Sequence, residues 1–337
     1  MIILNKQNLQ ALLIEYDQKR NRAIIEAENK KYELYSAIPE LEKIDNDINT
    51  TSIYAIKATL TQKNSNAPQK LKSDLEVLKQ KKIDILKAAG KSLYDLSPHF
   101  ECSNCNDTGY IKSDAGTVLC PCIKQKLYNI QYNNSNIYDL ENQNFSKFRL
   151  DYYSDIPNEC KYSSKLSPRE NIKKIKNICD NFIDNFDNPN ENNLLFCGNS
   201  GLGKTFLSSC IANEMIKKGK TVLYQTAPLM LDGIIDYKFG KTDKNIVKSI
   251  TTVDLLIIDD LGTETKNNLK ITELFNIINS RLLNQNNNIT KTIISTNLSL
   301  QELYTNYEER ILSRIIGNYE ACYFFGDDIR IKKKLNK

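Results

Sequence analysis

Apolar residues near the N-terminus recur at close to helical spacing. Leu9, Leu12, Leu13, Tyr16, Ala23, Ile24, Ala27 and Leu34 predict a helix over 5–36. Pro39 interrupts that pattern and predicts a break. A second helix is expected within 49–63. A third follows Pro68, with Leu71, Leu75, Leu78 and Ile85 on one side and Gly90 as a stop. Lysines fill the other faces, so the segment reads as a small helical bundle with wet outer faces, a coiled coil being the alternative. Such helices can dock a partner protein, but nothing in them names one. A cysteine-bearing stretch occupies 102–122, and a polar, Asn- and Tyr-rich segment runs to about 165. "SPRENIKKIKNICDNFIDNF" then predicts a helix capped by Ser167, with Pro168 at its first position. From about 193 the pattern becomes short apolar runs alternating with amphipathic helices. The runs are "NLLFC", "TVLYQT", "DLLIIDD", "KTIISTN" and "ACYFF". This alternation predicts an α/β domain built on a buried parallel sheet. No internal repeat is seen.

The length of 337 residues suggests two domains. A hydrophobic content of 40% supports a core, and 26% charged residues point to a soluble protein. No apolar run approaches a membrane span, and "MIILNKQNLQ" is too poor in apolar residues for a signal peptide. The expected compartment is therefore the reducing cytoplasm, where disulfides are rare, and the nine cysteines are read as metal ligands or thiols. The net charge of +5 permits nucleic-acid contact without demanding it. The runs "YNNSN", "NPNENN" and "NQNNN" read as compositional bias in loops.

Gly198-Asn199-Ser200-Gly201-Leu202-Gly203-Lys204-Thr205 matches G-x-x-x-x-G-K-[ST] at every fixed position. Glycines let the backbone curl so that successive N–H groups face phosphate oxygens, helped by the positive end of the following helix. Lys204 is placed to reach the β- and γ-phosphates, and Thr205 offers a hydroxyl to Mg²⁺. "VDLLIIDDLGTE" supplies the rest of such a site. A buried strand over Leu255–Ile258 delivers Asp259 and Asp260 to its carboxyl end, Asp259 to hold Mg²⁺ through water and Asp260 to polarise the attacking water. Asn297 ends the strand "KTIISTN", where an amide can hold the γ-phosphate or the water. In the expected helix "YEERILSRII", Arg310 and Arg314 share a face. They form ordinary salt bridges, or one of them reaches a neighbouring subunit's nucleotide as an arginine finger. The GTPase N-K-x-D motif and the LSGGQ signature of ABC transporters are absent, so ATP is the expected nucleotide.

Cys102-x-x-Cys105 and Cys120-Pro-Cys122, 14 residues apart, place four thiols in two close pairs, a set suited to closed tetrahedral Zn²⁺. Gly109 and Gly116 would let the chain fold back between the pairs. His99, the only histidine, is either an alternative ligand or a surface residue. Four unmetallated thiols are the alternative for the cluster. Cys160, Cys179, Cys197, Cys210 and Cys322 are scattered and read as buried or half-buried.

GNSGLGKT, IIDDLGTE, STN, ERILSRI and the closing GDDIR (Gly326 to Arg330), in that order over about 165–332, resemble the DnaC/DnaI-type bacterial helicase loaders. These are AAA+ ATPases whose core is shared with IstB-type transposase helpers. The resemblance implies a Walker A motif at Gly198–Thr205, Walker B at Asp259 and Asp260, sensor 1 at Asn297, and a finger at Arg314 with Arg310 beside it. Many AAA+ proteins carry Asp-Glu where this chain has Asp-Asp, a shorter carboxylate that fits a slow, switch-like ATPase. No C-terminal helical lid is expected, which leaves Arg330 as a candidate sensor 2. In DnaI-like loaders a zinc-bearing N-terminal domain contacts the replicative helicase, and "CSNCNDTGY…CPC" looks like that form.

The expected architecture is an α/β AAA+ P-loop NTPase with a parallel sheet, preceded by a mainly helical N-terminal domain with a zinc site. Its parts are a helical region at 1–95, a zinc-binding module and linker at 96–150, and the ATPase at 165–337. The expected function is ATP-dependent loading of a DnaB-type helicase hexamer onto single-stranded DNA, with self-association through the AAA+ domain. The expected cofactors are ATP, Mg²⁺ and Zn²⁺, and no membrane is involved. An IstB-type transposition helper is the main alternative; a metabolic P-loop kinase would need an acceptor pocket and an arginine-bearing lid.

Overall fold

The structure, a computed structural model, describes residues 6–61, 67–113, 116–131, 143–241, 246–265, 267–284 and 289–335. It divides into two compact units, Gln10–Val118 and a second that contains Leu119–Lys337. The runs at 132–136 and 285–288, expected as loops, lie outside the described residues.

The first unit holds α1 (Lys6–Ala37), α2 (Pro39–Thr61) and α3 (Ala67–Ala88). Pro39 breaks the first helix as expected, since α1 ends at Ala37. It starts α2, and only Ile38 separates the two helices. Proline at the first helical position gives up an N–H that has no intrahelical partner there, and its fixed φ suits the helical start. The expected second helix therefore begins ten residues earlier, and its last residues lie outside those described. α3 stops as Gly90 predicts. Gly90 is left-handed at φ +68; its N–H donates to Lys87 O at 3.0 Å, and Lys91 N–H to Leu86 O at 2.8 Å. These bonds satisfy carbonyls that the helix end leaves open. The three helices converge on Asp45 of α2, which accepts from Tyr35 of α1 and pairs with Lys82 of α3 at 2.6 Å. Leu41 and Leu86, each one turn along its helix from this pair, are buried, as are Leu12 and Tyr16 in the first half of α1. β1 (Tyr110–Ser113) and β2 (Gly116–Leu119) pair as a small sheet.

The second unit opens with α4 (Pro121–Gln131), α5 (Glu159–Tyr162) and α6 (Pro168–Asp184). Ser167 and Glu170 close a reciprocal cap at the start of α6, as the Ser-Pro-x-Glu spacing implies. The sequence then alternates β3 (Asn193–Cys197), α7 (Lys204–Lys217), β4 (Val222–Thr226), α8 (Ala227–Lys238), α9 (Ile246–Thr252), β5 (Leu255–Leu261) and α10 (Asn268–Asn284). It ends with β6 (Lys291–Thr296), α11 (Leu300–Asn306), α12 (Glu309–Asn318), β7 (Tyr319–Tyr323) and α13 (Ile329–Leu335). All five apolar runs are strands of one parallel sheet, ordered β4-β5-β6-β3-β7.

Alternate residues of each strand feed opposite cores. Leu194, Phe196, Leu255 and Ile257 enter one, while Leu195, Cys197, Leu256 and Ile258 enter the other. Both faces are covered by helices, so the strands read as unbroken apolar runs. The edge strand β4 is covered by α4. There the Gln125 carboxamide donates to Val222 O at 2.9 Å and accepts Val222 N–H at 2.6 Å, as a neighbouring strand would. At the amino ends of β5 and β6, Arg281 is 1% exposed and donates to Ile250 O, Val253 O and Lys291 O. The strand order matters most for function. β6 lies between β3 and β5, so the carboxyl ends of the glycine-loop, Asn297 and Asp259–Asp260 strands are neighbours. No helix among the described residues is long and apolar enough to cross a membrane.

Candidate functional site

The turn from β3 to α7 is held open by glycine. Gly201 lies at φ +79, and a Cβ there would fall 2.2 Å from the Asp328 carboxylate. The segment after β7 runs along this turn: Phe324 N–H donates to Cys197 O at 2.7 Å and Ile329 N–H to Gly201 O at 2.9 Å. Gly201 occupies a variable position of the motif, yet both its backbone and its neighbour require it. Gly201→Ala is expected to weaken nucleotide binding by about 10-fold or more, since left-handed strain costs roughly 1–3 kcal/mol before the clash is relieved. Titration of a fluorescent ATP analogue tests this; unchanged affinity would mean that Asp328 gives way freely.

Lys204 is 5% exposed. Its Nζ donates to Gly198 O at 2.5 Å, Asn199 O at 2.9 Å and Asn297 Oδ1 at 2.7 Å. Burial lowers its pKa, and the charges of Asp260 and Asp259 oppose that shift. The ammonium thus already bridges the glycine loop to the end of β6.

Asp259 is 3% exposed and accepts hydrogen bonds from Tyr224 Oη at 2.7 Å and from Ser295 Oγ. Asp260 turns the other way. Its φ of +56 is left-handed, and its N–H donates to Ser295 Oγ at 3.1 Å. Burial first, then the charge of Asp259, raise the Asp260 carboxyl pKa, with Lys204 and Arg330 opposing.

Lys204, Asp260 and Asn297 meet at an open cleft of about 390 Å³, which Asp259 does not line. Ser200 to Phe206, Asp260 and Asn297 line it, as do Arg330 and Lys333 from α13. Arg330, a bare candidate by sequence, therefore stands at the cleft. The rest of the wall includes Lys147, Phe148, Arg149, Tyr152 and Tyr153, from the polar stretch that the sequence places ahead of the ATPase. Tyr153 Oη donates to Leu202 O at 2.9 Å, and Arg169 Nε donates to Leu150 O at 3.1 Å and Tyr153 O at 3.0 Å, fixing this segment beside the glycine loop. Tyr152 sits between Arg149 and Lys333, each 5.0 Å from its ring centroid. The density of aromatic and basic residues in "FSKFRLDYY" was the one available signal.

Arg310 and Arg314 stand apart from the residues lining this cleft. Both guanidinium groups stack on Phe275 of α10, at 4.3 and 4.6 Å from its centroid. Arg310 pairs with Glu308, and Arg314 Nε donates to Asn279 Oδ1 at 2.8 Å.

The ligand sulfurs of Cys102, Cys105, Cys120 and Cys122 all lie within 4.8 Å of one another. A tetrahedral zinc–sulfur site with bonds of about 2.3 Å has sulfurs roughly 3.8 Å apart, so this set fits zinc after a small contraction. The Asp107 carboxylate shapes the first pair, accepting Glu101 N–H at 2.8 Å and Cys102 N–H at 2.9 Å. His99 packs against Tyr94 with ring centroids 4.0 Å apart and planes tilted by 42°, and the cluster consists of cysteines. Among the scattered cysteines Cys160 is exposed, unlike the expectation, because it lies in the short surface helix α5. Cys179, Cys197, Cys210 and Cys322 are buried, and burial raises their thiol pKa values, to about 11 for Cys197 and about 12 for Cys210 and Cys322.

Comparison with known proteins adds the following. The family described as IstB-like ATP binding protein matches residues 158–336. The replicative helicase loader DnaC of Escherichia coli (strain K12) is 28% identical over 152 residues, which are 44% of this chain and 60% of the relative. DnaC of Buchnera aphidicola subsp. Acyrthosiphon pisum (strain APS) is 27% identical over 182 residues, 53% of this chain and 72% of its own. The chain thus spans 60% of the length of the E. coli relative. A crystal structure of the DnaC helicase loader superposes with a TM-score of 0.43 at 24% identity, covering 56% of this chain and 99% of that one.

Proposed function

We propose, from the premise that this chain belongs to the IstB-like ATP-binding protein family, that it is an AAA+ ATPase that loads a DnaB-type replicative helicase hexamer onto single-stranded DNA at replication initiation, in the cytoplasm. The observation that carries this reading is the pairing of two sites in one chain: a nucleotide cleft where Lys204, Asp260 and Asn297 converge, and an upstream four-cysteine cluster. The DnaC relatives support it.

In this reading ATP enters the cleft with its phosphates on the backbone of Gly198 to Thr205. Lys204 exchanges its carbonyl partners for phosphate oxygens. Lys147, Arg149, Arg330 and Lys333 add positive charge around the triphosphate, and Phe148 and Tyr152 offer ring faces to the base. Thr205 and Asp259 present the hard oxygen donors that Mg²⁺ prefers and would hold it there, where its charge would offset that of the phosphates. Asp260 polarises the attacking water. Asn297, its Oδ1 engaged by Lys204, keeps amide N–H groups for the γ-phosphate or that water. Arg310 and Arg314, held on Phe275, would serve a neighbouring subunit's nucleotide, which requires self-association through the AAA+ domain. The proposed parts are the helical region 1–95, the zinc module from 96, and an ATPase part that extends upstream of 165 to include the cleft wall at 147–153. Zinc gives the module the rigidity that its small core lacks, and the module grips the helicase.

The family match over 158–336 also fits an IstB-type transposition helper, which shares the ATPase core. The cysteine cluster separates the two readings. Light scattering after size exclusion, on the full chain mixed with the host's replicative helicase, is the test. A complex is expected that persists in Lys204→Ala and is lost in Cys102→Ser/Cys105→Ser. Stable association with a transposase and none with the helicase, in ATP or ADP, would refute the loader.

A further inference from the structure

Asp259 is the most completely enclosed acid of the nucleotide site, and its partners come from the strands on both sides. On one side is Tyr224 of β4. The register pairs Tyr224 with Ile257 and Thr226 with Asp259, so the tyrosine stands diagonally before the acid on the same face. Its ring is 1% exposed, and its hydroxyl donates to Asp259 Oδ2 at 2.7 Å. On the other side Ser295 of β6, fully buried, donates to Asp259 Oδ1. The same Ser295 oxygen accepts the Asp260 N–H at 3.1 Å, so one hydroxyl fixes the carboxylate of one acid and the backbone of the next. Each hydroxyl donates once, and each carboxylate oxygen keeps a lone pair free of these two bonds.

We propose that Tyr224 is a positioning residue for the Walker B carboxylate: with Ser295 it clamps the Asp259 side chain between neighbouring strands, and this clamp sets how strongly Mg²⁺ reinforces nucleotide binding. The inference rests on the reading of Asp259 as the acid that holds Mg²⁺ through water. Its physical basis is orientation. A carboxylate with both oxygens hydrogen-bonded cannot swing, so its remaining lone pairs keep a fixed direction toward metal-bound water. The Tyr224 hydroxyl also shares a hydrogen bond with Ser209 of α7, whose Oγ donates to the Thr205 carbonyl at 2.9 Å. Tyr224 is absent from the residues lining the cleft, however, so removing its hydroxyl is expected to leave nucleotide binding without metal unchanged. Loss of an outer hydrogen-bond partner of this kind typically costs about 10- to 100-fold in metal affinity.

The test uses the full chain and a fluorescent ATP analogue, with affinity measured in EDTA and across a Mg²⁺ titration. Tyr224→Phe removes one oxygen and keeps the ring. Its expected result is an unchanged EDTA affinity and a Mg²⁺ half-saturation raised about 10-fold or more. Ser295→Ala provides the same test from β6 should Tyr224→Phe fold poorly by thermal unfolding. Asp259→Asn separates the two levels. If Asp259→Asn abolishes the Mg²⁺ effect while both hydroxyl variants match the parent, the clamp is overturned and the assignment of Asp259 stands. If Asp259→Asn itself keeps the full Mg²⁺ effect, that assignment falls and the clamp falls with it. An EDTA affinity reduced as much as the Mg²⁺ affinity in Tyr224→Phe also overturns the proposal, because it marks a structural residue.

Discussion

Replacing Asp260 by asparagine is expected to lower ATP turnover by about 10²- to 10⁴-fold, the usual contribution of a positioned general base, while ATP binding is retained. Two observations make this substitution clean. Asp260 holds a left-handed backbone at φ +56, and asparagine is among the few residues that tolerate that region. Its backbone bonds, the N–H to Ser295 Oγ and the carbonyl that accepts from Thr263, do not involve the carboxylate. The change therefore removes the base and little else. A second effect has the opposite sign. Burial and the adjacent Asp259 raise the Asp260 pKa in the folded chain. A carboxyl raised in this way favours the folded state at low pH, and its charge costs stability once pH passes above the ordinary carboxylate range. Asparagine removes that cost, so without Mg²⁺ at neutral pH the variant should unfold at a higher temperature than the parent. Steady-state phosphate release, nucleotide titration and thermal unfolding check the three statements. Turnover within a few-fold of the parent would mean that another group orients the water.

The second large effect belongs to the cysteines. The purified chain is expected to carry one zinc ion, and Cys102→Ser/Cys105→Ser to carry none. A structural zinc site contributes an apparent binding free energy of about 10–16 kcal/mol in small domains, comparable to the whole stability of a typical domain at about 5–15 kcal/mol. Stripping the metal should therefore disorder the knuckle around Asp107, seen as new proteolytic cleavage between 99 and 122. The nucleotide cleft should largely survive, because its residues are held by the parallel sheet. α4 is the place to look for transmitted damage. It begins directly after Cys120, and Gln125 on it closes the β4 edge at Val222. Faster amide exchange at Val222, with ATP-analogue affinity kept within a few-fold, is the expected signature. Metal analysis that finds no zinc in active protein would leave four thiols and remove the platform from the loader reading.

Much of the ATPase unit was legible because its signals are local. Five apolar runs became five parallel strands, Ser167 and Pro168 opened α6, and Gly90 closed α3. Each depends on residues close in sequence: a run long enough to be buried on both faces, a cap three residues from its partner, a glycine free to turn left-handed. Pro39 marks the break after α1, but the start of α2 at that same residue is not legible, for a related reason. Proline excludes a helix interior but suits a first turn, and the residues before it do not say which applies.

The cleft wall was illegible for a different reason. Nothing in "FSKFRLDYY" announces that Tyr153 will donate to Leu202 49 residues later, or that Lys333 will lie over Tyr152. The same holds for the shared platform of Arg310 and Arg314 on Phe275, and for the two hydroxyls that hold Asp259. Sequence alone therefore determined the five strands of the parallel sheet, the glycine loop with Lys204, the paired acids at a strand end and the four cysteines at metal-ligand spacing, since curling a backbone around phosphate or gathering thiols requires those residue types at those short intervals. Tertiary structure decided which strands are neighbours, hence that Asn297 meets Lys204, that Asp259 turns inward while Asp260 faces the cleft, and that the segment at 147–153 closes the cleft. Those outcomes come from packing between residues far apart in the chain, where strand order and burial, rather than local propensity, set the geometry.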